Sequence, residues 1–91
     1  MLASQDRPRP RPDIVVESLD EELLLFDAEA GMGYVLNPTA ARIWRLLDGT
    51  RSVRDIAEQL VGIYALSLEE ALAELEPLLE SMRGAGLFSA R

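Results

Sequence analysis

Three chemically important residue types are missing from this sequence. It has 91 residues with no cysteine and no histidine, and its nine basic residues are all arginine, so lysine is missing too. Without cysteine there are no disulfides and no thiolate metal ligands. Without histidine and lysine, the side chains most often tuned to act near neutral pH as bases or nucleophiles are absent. We therefore expect no enzymatic activity and no metal site.

Long apolar runs are missing as well. No run is long enough to cross a bilayer, and the amino terminus has Gln5, Asp6 and an Arg-Pro run where a secretory signal would have its apolar core. We therefore expect a cytoplasmic protein with no membrane partner. A content of 48% hydrophobic residues in a chain of this length predicts one small domain.

Positive charge is scarce beyond the first residues. The chain has a net charge of −7, and residues 1–12 contribute a net +2 (three arginines and Asp6), which leaves −9 for the remainder. Binding to a phosphate backbone needs a clustered basic face. The acidic remainder argues against a nucleic-acid partner and favours a basic or amphipathic peptide.

The basic residues that do cluster lie in an Arg-Pro repeat. Residues 7–12 read Arg-Pro-Arg-Pro-Arg-Pro, which favours an extended polyproline-like conformation without internal hydrogen bonds. We predict a disordered tail over residues 1–12, with no part in the core, and a single domain over residues 13–91.

The first part of this domain is predicted to be a sheet. Short apolar runs at residues 14–16, 22–26 and 33–36 are separated by turn residues at 19–21 and 27–32 and show no helical period. Such short connections predict an antiparallel meander in the order one, two, three. The third strand is then an edge.

Three helices are predicted to follow. Asn37 caps the first, Pro38 occupies its first position, and Asp48-Gly49 ends it. Ser52 opens the second helix, which we expect to end near Gly62. The predicted fold class is α+β, a winged-helix-like domain in which a three-stranded antiparallel sheet is followed by three helices.

The third helix carries the longest apolar stripe. It opens with a capping box at Ser67 and should end near Gly84. Pro77 lies inside it and predicts a kink or a break, because it removes a backbone hydrogen bond to Ala73. Leu87 and its neighbour Phe88 should pack back onto the core.

The edge of the third strand is the candidate binding site. An unpaired strand offers amide and carbonyl groups that an extended peptide can join. The site residues that we predict on this strand are Gly33, Tyr34, Val35 and Leu36. Pockets between this strand and the third helix would select side chains, and their predicted lining is Leu68, Leu72, Leu75 and Leu79. Alternatively, the edge is covered by the chain's own helix or by a second copy, and a homodimer formed through strand edges or by swapping is a further expectation.

Several segments together resemble the PqqD family. They are the tyrosine-aliphatic-Leu-Asn-Pro-Thr-Ala-Ala segment at 34–41, Ile-Trp at 43–44, Asp-Gly at 48–49, Ser-Val-Arg-Asp-Ile-Ala at 52–57 and Ala-Gly-Leu at 85–87. Members of this family are small peptide chaperones, also called RiPP recognition elements. The resemblance implies a non-catalytic protein with no cofactor of its own. It would bind the leader of a ribosomally made precursor peptide as an extra strand on residues 33–36.

The same resemblance implies a second partner, the modifying enzyme to which the leader is presented. In this family that enzyme is often a radical S-adenosylmethionine protein, and any cofactor belongs to it. The pathway could be that of pyrroloquinoline quinone, of a lasso peptide or of another modified peptide.

Two other functions fit parts of the sequence. A winged-helix DNA-binding regulator would share the architecture but should carry a basic recognition helix, whereas Arg51 and Arg54 are set against Asp55. An autonomous enzyme could use Glu70 and Glu74, which lie one helical turn apart. A solvated acidic face is the simpler interpretation of these glutamates.

Overall fold

The computed structural model describes residues 2–89 and has three strands followed by three helices. The elements are β1 (Val15–Leu19), β2 (Glu22–Asp27), β3 (Met32–Leu36), α1 (Pro38–Leu46), α2 (Val53–Tyr64) and α3 (Leu68–Gly84). The predicted α+β order, with all three strands before all three helices, is confirmed. In this part of the chain no helix has both the length and the apolar character needed to span a membrane.

The sheet is the predicted antiparallel meander. β2 lies in the centre, with β1 on one side and β3 on the other. β1 begins and ends later than expected, because Leu19 still pairs with Glu22 across a two-residue turn. Asp20 opens that turn at a φ of 59°, the positive value that tight hairpins require at this position.

The helices pack on one face of this sheet. Along β2, Leu23 and Leu25 are buried and Leu24 between them is only half-buried, because neighbouring side chains of a strand point to opposite faces. The helices therefore cover one face of β2 and leave its other face, with Phe26, exposed. The helices contribute Ile43, Trp44, Val53, Ile56, Leu60, Ala71, Leu75, Leu79 and Met82 to the core.

Side-chain caps fix where the helices begin. Asn37 Oδ1 accepts a 2.8 Å hydrogen bond from the Ala40 amide, as predicted for the start of α1. The predicted cap at Ser52 is present and forms a capping box, in which Asp55 accepts a 3.0 Å hydrogen bond from the Ser52 amide. α2 continues two residues past Gly62 and ends where Ala65 turns into the left-handed region at a φ of 55°.

Of the kink or break predicted at Pro77, the break is wrong, since α3 runs from Leu68 to Gly84 through the proline. A proline removes one hydrogen bond from a helix and crowds the preceding turn, so the turns around it need other support. Those turns are held by Leu75 and Leu79, which are fully buried on either side of Pro77. Packing therefore outweighs the local loss.

The prediction of a disordered tail is wrong for residues 2–12. The Asp6 carbonyl accepts a 2.8 Å hydrogen bond from the Val53 amide, and the Pro8 carbonyl accepts one of 3.1 Å from Gly49. Further along, the Arg9 carbonyl accepts one of 2.7 Å from Ser89. The first amides of a helix have no partner inside it, and an extended Arg-Pro chain has free carbonyls to offer. This segment is a strap, residues 2–12, that is bonded to the start of α2 and to residues 87–89.

Leu87 is buried, which confirms that the chain returns to the core after α3. Phe88, next to it, forms an isolated antiparallel bridge with Pro10 of the strap. Met1, Ala90 and Arg91, which belong to the predicted tail and domain, lie outside the described residues.

Candidate functional site

β3 forms one edge of the sheet. It pairs with β2 along one side, and within residues 2–89 no strand pairs with its other side. Gly33, Tyr34, Val35 and Leu36, the predicted strand residues, all lie in it. Leu36 is buried and Tyr34 half-buried on the face toward the helices, whereas Val35 points to the opposite face and is 63% exposed. The strand is thus anchored by one face and open along its edge.

A groove of about 620 Å³ begins beside Asn37, the residue that directly follows β3. It lies between α1, α2 and α3. Ala40, Ile43 and Leu60 supply apolar surface, and Leu78 closes the groove from α3. An extended chain paired with β3 could therefore continue past Leu36 into an apolar cleft.

Of the four leucines predicted to line the pocket, two are fully buried and two are half-buried. Leu75 and Leu79 are fully buried in the core, so in this structure they do not form the open lining of a peptide pocket. They belong to the buried stripe of α3, and a stripe this regular is the helix's own contact with the core. Leu68 and Leu72 are half-buried and pack against that core, but neither borders the groove beside Asn37.

The residues of α3 that do border the groove are Glu70, Ala73, Glu74 and Leu78. Sequence analysis missed Ala73 and Leu78 as site residues. The signal that could have found them is position, because 70, 74 and 78 follow each other at one-turn spacing beside the buried stripe. Tyr64 at the end of α2 completes the wall.

The charges at the groove are negative. Glu70 and Glu74 are the charged residues lining it within the described chain, and both are exposed. One oxygen of Glu70 accepts a 2.9 Å hydrogen bond from the Ser67 amide, which fixes its side chain at the start of α3. Among residues 2–89 the acidic side chains form no group able to hold a metal ion. An arginine or lysine of a partner fits this rim.

Fold and site together define a class: a small α+β domain in which an unpaired sheet edge leads into an apolar, acid-rimmed groove. The chain belongs to the family of coenzyme PQQ synthesis protein D (PqqD), whose model matches residues 22–87. That match spans β2 to Leu87 and includes both the edge and the groove.

Two solved structures are similar. One is TbiB1 in complex with the TbiA(beta) leader peptide, with a TM-score of 0.82, 19% identity, and coverage of 91% of this chain and 96% of that chain. The other is lasso peptide synthetase B1 complexed with the leader peptide, with a TM-score of 0.80, 30% identity, and coverage of 91% and 98%. A comparison with curated proteins gives no match.

Proposed function

We propose that this chain is a non-catalytic peptide chaperone. It binds the leader of a ribosomally made precursor peptide as a strand added to β3 and presents that peptide to a modifying enzyme. The open edge of β3, running into an apolar groove at Asn37, is the observation that carries the proposal. Membership of the PqqD family and the leader peptides named for the two similar structures support it.

Affinity in this arrangement comes from the backbone, and selectivity comes from the groove. The added strand pairs with residues 33–36, and its alternate side chains point toward the helices. Those side chains meet Tyr34. Beyond Leu36 the bound peptide, called the guest below, reaches Ile43 and Leu78. Leu68 and Leu72 stay in the proposed site as half-buried apolar surface, while Leu75 and Leu79 support it from the core.

The acidic rim gives the guest a preferred charge. Glu70 and Glu74 attract arginine or lysine near the end of the guest that enters the groove, mainly by raising the rate of association. The same charge repels nucleic acid, and the family match gives no support to the alternative of a DNA-binding regulator.

The chemistry of maturation belongs to the partner enzyme in this proposal. The chain contains no histidine, cysteine or lysine to carry it out. A precursor made on ribosomes places the chaperone in the cytoplasm. The pathway is one that modifies such a peptide: that of pyrroloquinoline quinone, of a lasso peptide or of another modified peptide.

Titration with synthetic leader peptides encoded beside the gene, followed by amide chemical shifts, tests the function. Successive amides of a strand point to opposite sides, so one of the variants Tyr34→Pro and Val35→Pro removes an amide from the open edge. The matched controls are Val16→Pro and Glu17→Pro on β1, the other edge strand. We expect a folded β3 variant to lose leader binding and a folded β1 variant to keep it. Equal binding by all folded variants would refute strand addition to β3.

A further inference from the structure

The outer face of the sheet, which the helices leave uncovered, is apolar. We define it by the side chains that alternate with the buried ones: Val15, Glu17, Leu19, Glu22, Leu24, Phe26, Gly33 and Val35. Val15 is 53% exposed and pairs with Phe26, which is 43% exposed. Leu24 and Val35 pair beside them. A contiguous exposed apolar patch is a common feature of surfaces that bind another molecule.

The charges on this face argue against a second copy of the chain as its cover. Glu17 and Glu22 are its charged members, and the three strands contain no arginine. Two copies packed face to face would bring these glutamates together, and each chain already carries a net charge of −7. Like charges in contact oppose association. Arginine or lysine on a different protein would pair with them.

The outer face is also too small to form a stable interface by itself. Strands of five or six residues are about 17–20 Å long, and three of them span about 10 Å from the first axis to the third. A stable interface buries about 800 Å² on each partner, which is more than such a face supplies. The partner must therefore touch something beyond the chain's own sheet.

A strand added to β3 would supply that further surface. The inward side chains of the guest meet the groove, and its remaining side chains stand on the outer face beside Val35. The outer face and the guest then form one continuous surface. A protein that covers this surface contacts both the chain and its bound leader peptide.

We propose that the outer face docks the modifying enzyme through an apolar contact surface that places arginine or lysine opposite Glu17 and Glu22. The enzyme binds the peptide-loaded chain more tightly than the empty chain, because only the loaded form presents the complete surface. This inference rests on the proposed function. It assigns a task to the one sheet face that peptide binding itself does not use.

The test uses the full chain, a synthetic leader peptide and the purified modifying enzyme encoded beside the gene. The affinities of the chain for leader and for enzyme are measured separately by calorimetry. The test variants Val15→Thr and Phe26→Thr place a polar group on the outer face. Val16→Thr is the matched control, since Val16 pairs with Leu25 on the helix side of the sheet and is 45% exposed.

We expect Val15→Thr and Phe26→Thr each to weaken enzyme binding about tenfold, the effect of about 1.4 kcal/mol, while leader affinity stays unchanged. Val16→Thr should leave both affinities unchanged. Glu17→Arg should weaken enzyme binding, and Glu76→Arg, on the exposed side of α3, should not. Leader should strengthen enzyme binding to the parent chain by about tenfold or more.

Three other results would overturn either this inference or the proposed function on which it rests. Outer-face variants that bind leader and enzyme as the parent does would overturn this inference and leave the chaperone function standing. A parent chain that binds no leader would overturn the chaperone function itself. A parent dimer in sedimentation that Phe26→Thr dissociates would show that a second copy covers the face, and would overturn the enzyme as its occupant.

Discussion

Arg11 and Asp27 form an ion pair that joins the strap to the sheet. Arg11 Nη1 lies 2.9 Å from Asp27 Oδ2, and Nη2 lies 3.2 Å from Oδ1, so the contact is bidentate. The same guanidinium donates a 2.9 Å hydrogen bond to the Gly86 carbonyl. Asp27 is only 2% exposed at the end of β2. One arginine thus ties together the strap, the sheet and the segment after α3.

This pair makes stability depend on pH. The hydrogen bonds from Arg11 hold the pKa of Asp27 below its ordinary value, which is about 3.9. A carboxyl group whose pKa is lowered by folding stabilises the native state above its ordinary pKa, and that contribution is lost as the pH falls through the lowered value. We expect the free energy of unfolding to decrease on acidification below about pH 4.

The variant Asp27→Asn isolates this contribution. It should be less stable than the parent at pH 7, and its deficit should shrink as the pH falls below about 4. Asp20→Asn, the same change in the exposed turn between β1 and β2, is the control and should cost less stability at pH 7 than Asp27→Asn does. Urea unfolding between pH 2 and pH 7 measures both. A constant deficit of Asp27→Asn across that range would contradict the account.

Replacing Pro77 should stabilise the protein. Proline inside a helix costs about 3 kcal/mol relative to alanine, and α3 passes through Pro77 without ending. We expect Pro77→Ala to raise the free energy of unfolding by about 1–3 kcal/mol. Glu76→Ala, at the neighbouring exposed position, should change it by less than about 0.5 kcal/mol. A destabilised Pro77→Ala would mean that the proline makes a contact worth more than the hydrogen bond it removes.

Replacing alanine by glycine should stabilise the protein at position 65 and destabilise it at position 73. The φ of 55° at Ala65 lies in the left-handed region, which costs residues with a Cβ atom about 1–2 kcal/mol. Ala65→Gly should therefore stabilise the protein by about 1 kcal/mol. Ala73→Gly, the same change at an exposed site inside α3, should destabilise it by about 1 kcal/mol. Thermal unfolding of the two variants should show shifts of opposite sign, and shifts of the same sign would contradict this assignment.

Alanine variants of Leu72 and Leu75 distinguish an effect on leader binding from an effect on folding stability. Leu75 is fully buried, so Leu75→Ala should lower the free energy of unfolding by about 2–5 kcal/mol. Leu72 is half-buried at the margin of the core, so Leu72→Ala should cost less stability and should weaken leader binding. Denaturant unfolding and leader titration on both variants check this division. A Leu72→Ala variant with unchanged leader affinity would remove Leu72 from the site.

The order of elements could be predicted from the sequence because local signals specify it. Asn37, Ser52 and Ser67 cap the three helices, and all three caps form as expected. The meander was predicted as the simplest arrangement for connections this short. The PqqD-like segments also led to the correct family.

The parts that could not be predicted depend on long-range contacts. The strap is ordered by carbonyls that meet Gly49, Val53 and Ser89, and no local pattern at residues 2–12 records those partners. The periodicity of α3 marked Leu75 and Leu79 as apolar, but apolar spacing does not distinguish a core stripe from a groove. Only the placement of α1 and α2 against α3 shows that Leu78 lines the groove.

Amide hydrogen exchange of the chain with and without its leader peptide tests the central claim most directly. If the leader joins β3, alternate amides within residues 32–36 become protected on binding, because only every second amide of a strand faces its open edge. Amides of β1, at the opposite edge, should exchange as before. Protection confined to β1, or a bound leader that leaves every amide of β3 unchanged, would contradict the account.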